Sequence, residues 1–183
     1  MVGSGMPDGQ STRETGRGTR RYLWMLALAA AVLLVDQSSK YWAVSALGDG
    51  ERITVIPQLI QLRLTYNAGA AFSIGSGATW IFALTAAVTV AVILFMGRRL
   101  RTASWTVVLG ALLGGAFSHL LDRLFRDPGF ARGHVVDFID YGPFVGNIAD
   151  IALFGSCALL LLLNLRGIPF EEDPDPDPAP EPA

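Results

Sequence analysis

Asp150-Ile151-Ala152-Leu153-Phe154-Gly155-Ser156-Cys157-Ala158-Leu159-Leu160-Leu161-Leu162-Leu163-Asn164-Leu165 puts a carboxylate at the head of a stretch that is otherwise almost wholly apolar. Together with residues 144–149 this reaches the roughly 20 residues that carry a helix across a hydrocarbon core. An acid in such a segment costs about 2.5–3.5 kcal/mol at a helix centre on insertion scales, so chains that keep one use it. The uses are ion passage, proton relay or chemistry. A second acid, Asp137, stands shortly before it in Gly133-His134-Val135-Val136-Asp137-Phe138.

Three more apolar segments precede this one, at about residues 22–47, 78–96 and 105–121, the first interrupted by Asp36-Gln37-Ser38-Ser39-Lys40. Of the 183 residues, 51% are hydrophobic and only 16% charged, whereas soluble domains carry about 25% charge. Mean hydropathy is +0.42. The apolar residues are grouped in runs rather than spread with a period, the composition of a polytopic membrane protein. No basic patch with interleaved aromatics occurs, so nucleic acid is not an expected partner. The single cysteine, Cys157, rules out an internal disulfide and a multi-cysteine metal site, and reads as a small buried hydrophobe. Arg20-Arg21 before an apolar run could open a signal peptide, but the segment continues through Tyr41-Trp42-Ala43-Val44 to spanning length.

Arginines set the orientation. Arg13, Arg17, Arg20 and Arg21 precede the first span, Arg98, Arg99 and Arg101 lie between the second and third, and Arg166 follows the fourth. By the positive-inside rule both termini are cytoplasmic, and the connections at 48–77 and 122–143 face outward. Residues 1–20, rich in Gly, Ser, Thr and Arg, read as an unstructured leader, and 168–183, acidic and Pro-rich, as an unstructured tail. The four-span domain is 21–167. In the first outer connection, Gln61-Leu62-Arg63-Leu64-Thr65-Tyr66 alternates as a half-buried strand, and Ile53-Thr54-Val55-Ile56 is its candidate partner.

The polar groups converge in depth. Asp36 lies about fourteen residues into the first span, roughly 20 Å from the inner face, and Asp150 is near the outer end of the fourth. His119, Asp122 and Arg123 share one helix face, as do Asn147 and Asp150. Each has a bland reading: an Asp36–Lys40 ion pair at i and i+4, Asp122 and Arg123 neutralising each other or pairing elsewhere to order the loop, a satisfied His119 at a helix end, and Asn147 as a helix N-cap. One shared site explains them together. Two carboxylates there support acid–base hydrolysis, one taking a proton from water while its protonated partner donates to a carbonyl oxygen. Arg123 or Asn67 would fix the carboxylates or the substrate carbonyl. Intramembrane acids equally suit a proton-coupled carrier, which stays open on this evidence.

Five motifs in order resemble the bacterial lipoprotein signal peptidases, the signal peptidase II family of aspartic peptidases. They are Asp36-Gln37-Ser38-Ser39-Lys40, Asn67-Ala68-Gly69-Ala70-Ala71-Phe72-Ser73, Gly114-Gly115 followed by Asp122-Arg123-Leu124, the stretch around Asp137, and Asn147-Ile148-Ala149-Asp150. The resemblance covers about residues 22–166. It implies an all-α membrane protein of four transmembrane helices, with a small extracytoplasmic β-cradle and a periplasmic loop or helix over the site. It further implies an endopeptidase of the bacterial plasma membrane, with no cofactor and no metal, working as a monomer near the outer leaflet. The implied substrate is a prolipoprotein cleaved before a diacylglyceryl cysteine; membrane lipids and globomycin-type inhibitors are the other implied partners. Asp137 and Asp150 correspond to the catalytic pair. Asp36, Asn67, Arg123 and Asn147 correspond to positions that support the pair or hold substrate, and Lys40, Gly69, Ala71, Phe72, His119, Asp122 and Val136 are further candidates for that role. The chain departs from the family pattern at His119, where Asn is usual, and at Phe144-Val145-Gly146-Asn147, where Phe usually adjoins Asn.

Overall fold

The computed structural model describes residues 8–69, 78–100 and 102–170. Four helices cross the molecule: α1 (Asp8–Leu47), α2 (Thr79–Gly97), α3 (Ala103–Phe125) and α4 (Ile148–Leu165). Each is long and apolar enough to span a bilayer, over Gly18–Leu47 in the case of α1. Large apolar side chains such as Leu34, Leu84, Phe154 and Leu165 stand exposed along them. In water such a surface would drive association; against lipid tails it is matched, as a multi-pass membrane protein requires.

α3 is the helix the others surround. Of its most apolar stretch 61% is buried, against 17%, 22% and 17% in α1, α2 and α4. Small residues permit this. A Cβ at Gly114 would stand 2.7 Å from the Ala29 carbonyl oxygen of α1, and one at Gly115 would meet the Ala149 carbonyl oxygen of α4 at 3.0 Å. Backbones at such separation gain dispersion contacts where no hydrophobic force separates protein from lipid.

At one end of the bundle the connections form a four-stranded antiparallel sheet of β1 (Arg52–Ile56), β2 (Ile60–Asn67), β3 (Val135–Asp140) and β4 (Val145–Gly146), in that order. The alternating segment of the first connection is β2, and its expected partner is β1. β2 then pairs with β3, setting Thr65 opposite Asp137 and Asn67 opposite Val135. Phe138 and Ile139 of β3 pack with Ala43 and Leu47 at the end of α1, which seats the sheet on the bundle.

Several expectations are corrected. The polar stretch Asp36–Lys40 lies within an unbroken α1, with Asp36, Gln37 and Lys40 turned inward to partners. α1 is helical from Asp8, so residues 8–20 carry structure where an unstructured leader was expected. A helix once nucleated gains one hydrogen bond for each residue added. Residues 168–170 are packed rather than part of a free tail: Trp105 Nε1 donates to the Ile168 carbonyl (3.2 Å), and the Phe170 ring meets the Trp105 ring edge-on. The fourth span starts at Ile148 rather than 144, since 145–146 belong to β4. Cys157 is exposed rather than buried within the protein. Among the described residues of the two outer connections there is no α-helix.

Candidate active site

Asp137 is presented by β3, a strand buried on both faces, and its side chain is only 3% exposed. Its two oxygens are held from opposite sides. Asn147 Nδ2 donates to Oδ1 at 2.7 Å, and Asn67 Nδ2, at the end of β2, donates to Oδ2 at 3.0 Å. Burial, followed by the nearby negative charge of Asp150, pushes Asp137 up to about 6, although the two amides pull the other way.

Asp150 occupies the first turn of α4, where its placement follows from helix capping. Asn147 is the N-cap: its Oδ1 accepts from the Asp150 backbone N–H (3.0 Å), and Asp150 Oδ2 accepts from the Asn147 backbone N–H (3.0 Å). This reciprocal pair satisfies two of the donors that every helix start leaves over. One residue therefore orients both acids, Asp137 by its amide nitrogen and Asp150 by its backbone. Asp150 Oδ1 points elsewhere, 3.5 Å from His119 Nε2. Its side chain is 27% exposed, so the pair opens outward on the Asp150 side.

Beneath the pair lies a buried ionic cluster. Lys40 Nζ is 2.6 Å from Asp36 Oδ2 and 2.7 Å from Asp122 Oδ2, with all three side chains at 0–1% exposure. Asp36 Oδ1 accepts the backbone N–H of Ala149 (2.7 Å), another unsatisfied donor of the α4 start. Ser118 donates to Asp36, and Gln37 donates to Asp122 Oδ1 (3.0 Å) and Ser118 Oγ (2.8 Å). Arg126 adds its Nε to Asp122 Oδ1 at 2.6 Å. α1, α3 and α4 are thereby joined through polar groups at the depth of the two acids.

The match to known proteins fits this geometry. The family model described as Signal peptidase (SPase) II aligns with residues 28–166. The chain belongs to the signal peptidase II family. Curated members include the lipoprotein signal peptidase of Leifsonia xyli subsp. xyli, 44% identical over 79% of this chain and 68% of that one. Others are that of Bifidobacterium longum subsp. infantis, 42% identical over 87% of both, and that of Mycobacterium avium, 43% identical over 88% and 89%. The fold is similar to a bacterial membrane enzyme solved by the in meso method at 2.3 Å resolution, with a TM-score of 0.70 over 84% of this chain and 94% of that one, at 24% identity. A second, solved at 1.9 Å, gives 0.67 at 26% identity, over 78% and 92%.

In this signal peptidase II family member the structure brings together Asp36, Lys40, Asn67, His119, Asp122, Val136, Asp137, Asn147 and Asp150. Val136 contributes its backbone, the N–H donating to Asp122 Oδ2 (3.4 Å) and the carbonyl accepting from Asn147 Nδ2 (3.3 Å). Arg123 takes the second of its two bland readings, pairing away from Asp122 to order the outer connections. Rather than meeting Asp122 or a carboxylate, its guanidinium donates to the backbone carbonyls of Asn67 (3.0 Å), Gly133 (3.2 Å) and Gly69, and lies over the Phe82 ring. Helix geometry explains this, because adjacent residues of α3 diverge by about 100°. Gly69 thus acts through its carbonyl. Ala71 and Phe72 lie outside the described residues. Gln37, Ser118 and Arg126 escaped the sequence reading; only Arg126, at i+4 from Asp122, had a spacing signal. Among the described residues no group of three or more His, Cys, Asp or Glu is placed to hold a metal ion.

Proposed function

We propose that Asp137 and Asp150 are the catalytic pair of a membrane-embedded aspartic endopeptidase that removes signal peptides from prolipoproteins, cutting before a diacylglyceryl cysteine. The observation that carries this reading is the mutual fixing of the two carboxylates through Asn147, with one acid buried and pushed up to about 6 and the other open to the outside. Such a pair holds one proton between two acids at mildly acid pH, up to about 6. The ionised member takes a proton from water as the oxygen attacks the peptide carbonyl, and the protonated member gives its proton to the carbonyl oxygen. Collapse returns one proton to the leaving nitrogen and the other to the dyad, so the resting state is regenerated.

The sheet end of the bundle faces outward in this proposal. Arg20, Arg21, Arg98, Arg99 and Arg166 cluster at the other end, and the positive-inside rule makes that end cytoplasmic. The acids then lie near the outer leaflet, the level at which a lipid-anchored cysteine presents its preceding bond. Asp36, Lys40 and Asp122 brace the floor of the site, and Asn67, Gly69 and Arg123 brace its outer rim. The remaining parts of the proposal are a monomeric enzyme bounded by membrane lipids and inhibited by globomycin-type cyclic peptides in the same cleft.

The test is a gel-shift assay of a diacylglyceryl prolipoprotein with purified protein. Cleavage is expected from the wild type and none from Asp137→Asn or Asp150→Asn, with all three proteins folded and membrane-inserted. Wild-type turnover by either variant overturns the assignment.

A further inference from the structure

We propose that His119 is a positioning residue whose Nε2–H, shared between Asp150 and Asn147, keeps Asp150 the ionised, water-activating member of the pair and leaves the shared proton on Asp137. This rests on the dyad reading above and adds an assignment of roles within it.

The geometry determines which ring nitrogen bears hydrogen. His119 Nε2 lies 3.4 Å from Asn147 Oδ1 and 3.5 Å from Asp150 Oδ1. Asn147 Oδ1 already accepts the Asp150 N–H, and Asn147 Nδ2 is committed to Asp137 and the Val136 carbonyl. Asn147 Oδ1 can therefore only accept from Nε2, so the tautomer that fits is the one protonated at Nε2, which also aims that N–H toward Asp150 Oδ1. A donor aimed at a carboxyl oxygen favours the charged over the neutral form of that group.

Three further features act on the two acids in opposite directions. Asp150 sits in the first turn of α4, where the helix dipole favours an anion, and takes a backbone N–H from Asn147. It is also the more exposed of the two, at 27%. Asp137 lies on a strand buried on both faces, where loss of water opposes its charged form. The other charged groups facing His119 are Asp36 and Lys40 of α1, which oppose each other, leaving Asp150 as the unbalanced neighbour.

The step balances as follows. Water gives a proton to Asp150 while its oxygen bonds to the carbonyl carbon, and Asp137 gives its proton to the carbonyl oxygen. In collapse Asp150 protonates the leaving nitrogen as the C–N bond breaks, and a diol hydroxyl returns a proton to Asp137. His119 exchanges no proton in this cycle.

The experiment compares wild type with His119→Leu, which fills the space without a donor, and His119→Gln, which restores an N–H at similar reach. Each is assayed on a diacylglyceryl lipopeptide across pH. For His119→Leu the acidic limb of the kcat profile is expected to move up by about half to one pH unit. Its kcat falls about tenfold while KM changes less than about twofold, and His119→Gln recovers most of both. A uniform loss at every pH, or no recovery in His119→Gln, overturns the inference. A readout independent of turnover guards against a misfolded variant. The chain has two histidines, and nitrogen NMR of the full-length protein in micelles should report His119 protonated at Nε2, with that resonance shifting in Asp150→Asn. An Nδ1-protonated ring overturns the inference. An inactive wild type whose His119 resonance behaves as stated instead counts against the peptidase reading while supporting the contact.

Discussion

Lys40 on α1 and Asp122 on α3 form an ion pair of 2.7 Å that is closed to solvent, and the same ammonium lies 2.6 Å from Asp36. Two carboxylates thus share one cation inside a bundle. Removing one member of a buried pair leaves uncompensated charge and costs about 3–5 kcal/mol. Lys40→Met is expected to lower the melting temperature in detergent sharply and abolish cleavage. Asp36→Asn, which keeps an acceptor for the Ala149 N–H, is expected to do less harm. Equal melting temperatures for Lys40→Met and wild type would show that the cluster does not stabilise the fold.

Asn147 contributes to local stability and to the geometry of the acids, and the two effects separate. Asn147→Ala loses the N-cap bond, worth about 1 kcal/mol, and withdraws the amide from Asp137. A hydrogen bond between neutral groups is worth about 0.5–1.5 kcal/mol, which is roughly 2- to 10-fold in rate if it acts on the dyad. Cleavage should fall within that range while the protein stays folded. Asn147→Ser retains a capping oxygen, so it should recover stability but not rate.

The raised value of Asp137 has a sign for stability. The unfolded group titrates near 3.8 and the folded one near about 6, so folding favours the protonated form. Stability from this group is complete below pH 4, declines as pH rises to about 6, and is flat beyond. The difference of about two units corresponds to about 3 kcal/mol. Asp137→Asn cannot titrate. The melting-temperature difference between wild type and Asp137→Asn should therefore drift against wild type from pH 4 to 6 and then level off. A constant difference across that range would mean Asp137 is not perturbed.

Gly146 lies against the second acid. A Cβ there would stand 3.0 Å from Asp150 Oδ2, inside comfortable contact. Gly146→Ala is expected to displace that carboxylate, lowering kcat with little change in melting temperature. Unchanged kcat would indicate that Asp150 has room to shift without loss.

The spans were legible because a bilayer demands about 20 apolar residues and the arginines mark one side. β2 was legible because one of its faces meets the bundle and the other does not, which produces alternation. β3 was not, since Val135-Val136-Asp137-Phe138-Ile139 is buried on both faces and has no period, and β4 is only two residues long. The convergence of acids was visible from their cost in an apolar chain. The partners of Arg123 stayed open because they are backbone carbonyls, which leave no trace in side-chain spacing. Gln37 and Ser118 were passed over because neutral polar residues in a helix announce nothing about what they face.

The Asp36 carboxylate that receives the Ala149 N–H has a consequence for biosynthesis. Asp137 and Asp150 both follow the third helix in the chain, and the start of α4 depends on α1, the first helix to be synthesised. A nascent chain with only α1 to α3 inserted holds neither a complete floor nor either carboxylate of the proposed pair. Hydrolytic competence therefore arrives in one event, when the last helix docks against the first. With Asp137 and Asp150 in their proposed roles, a partially integrated chain cannot cut neighbouring polypeptides in the same membrane.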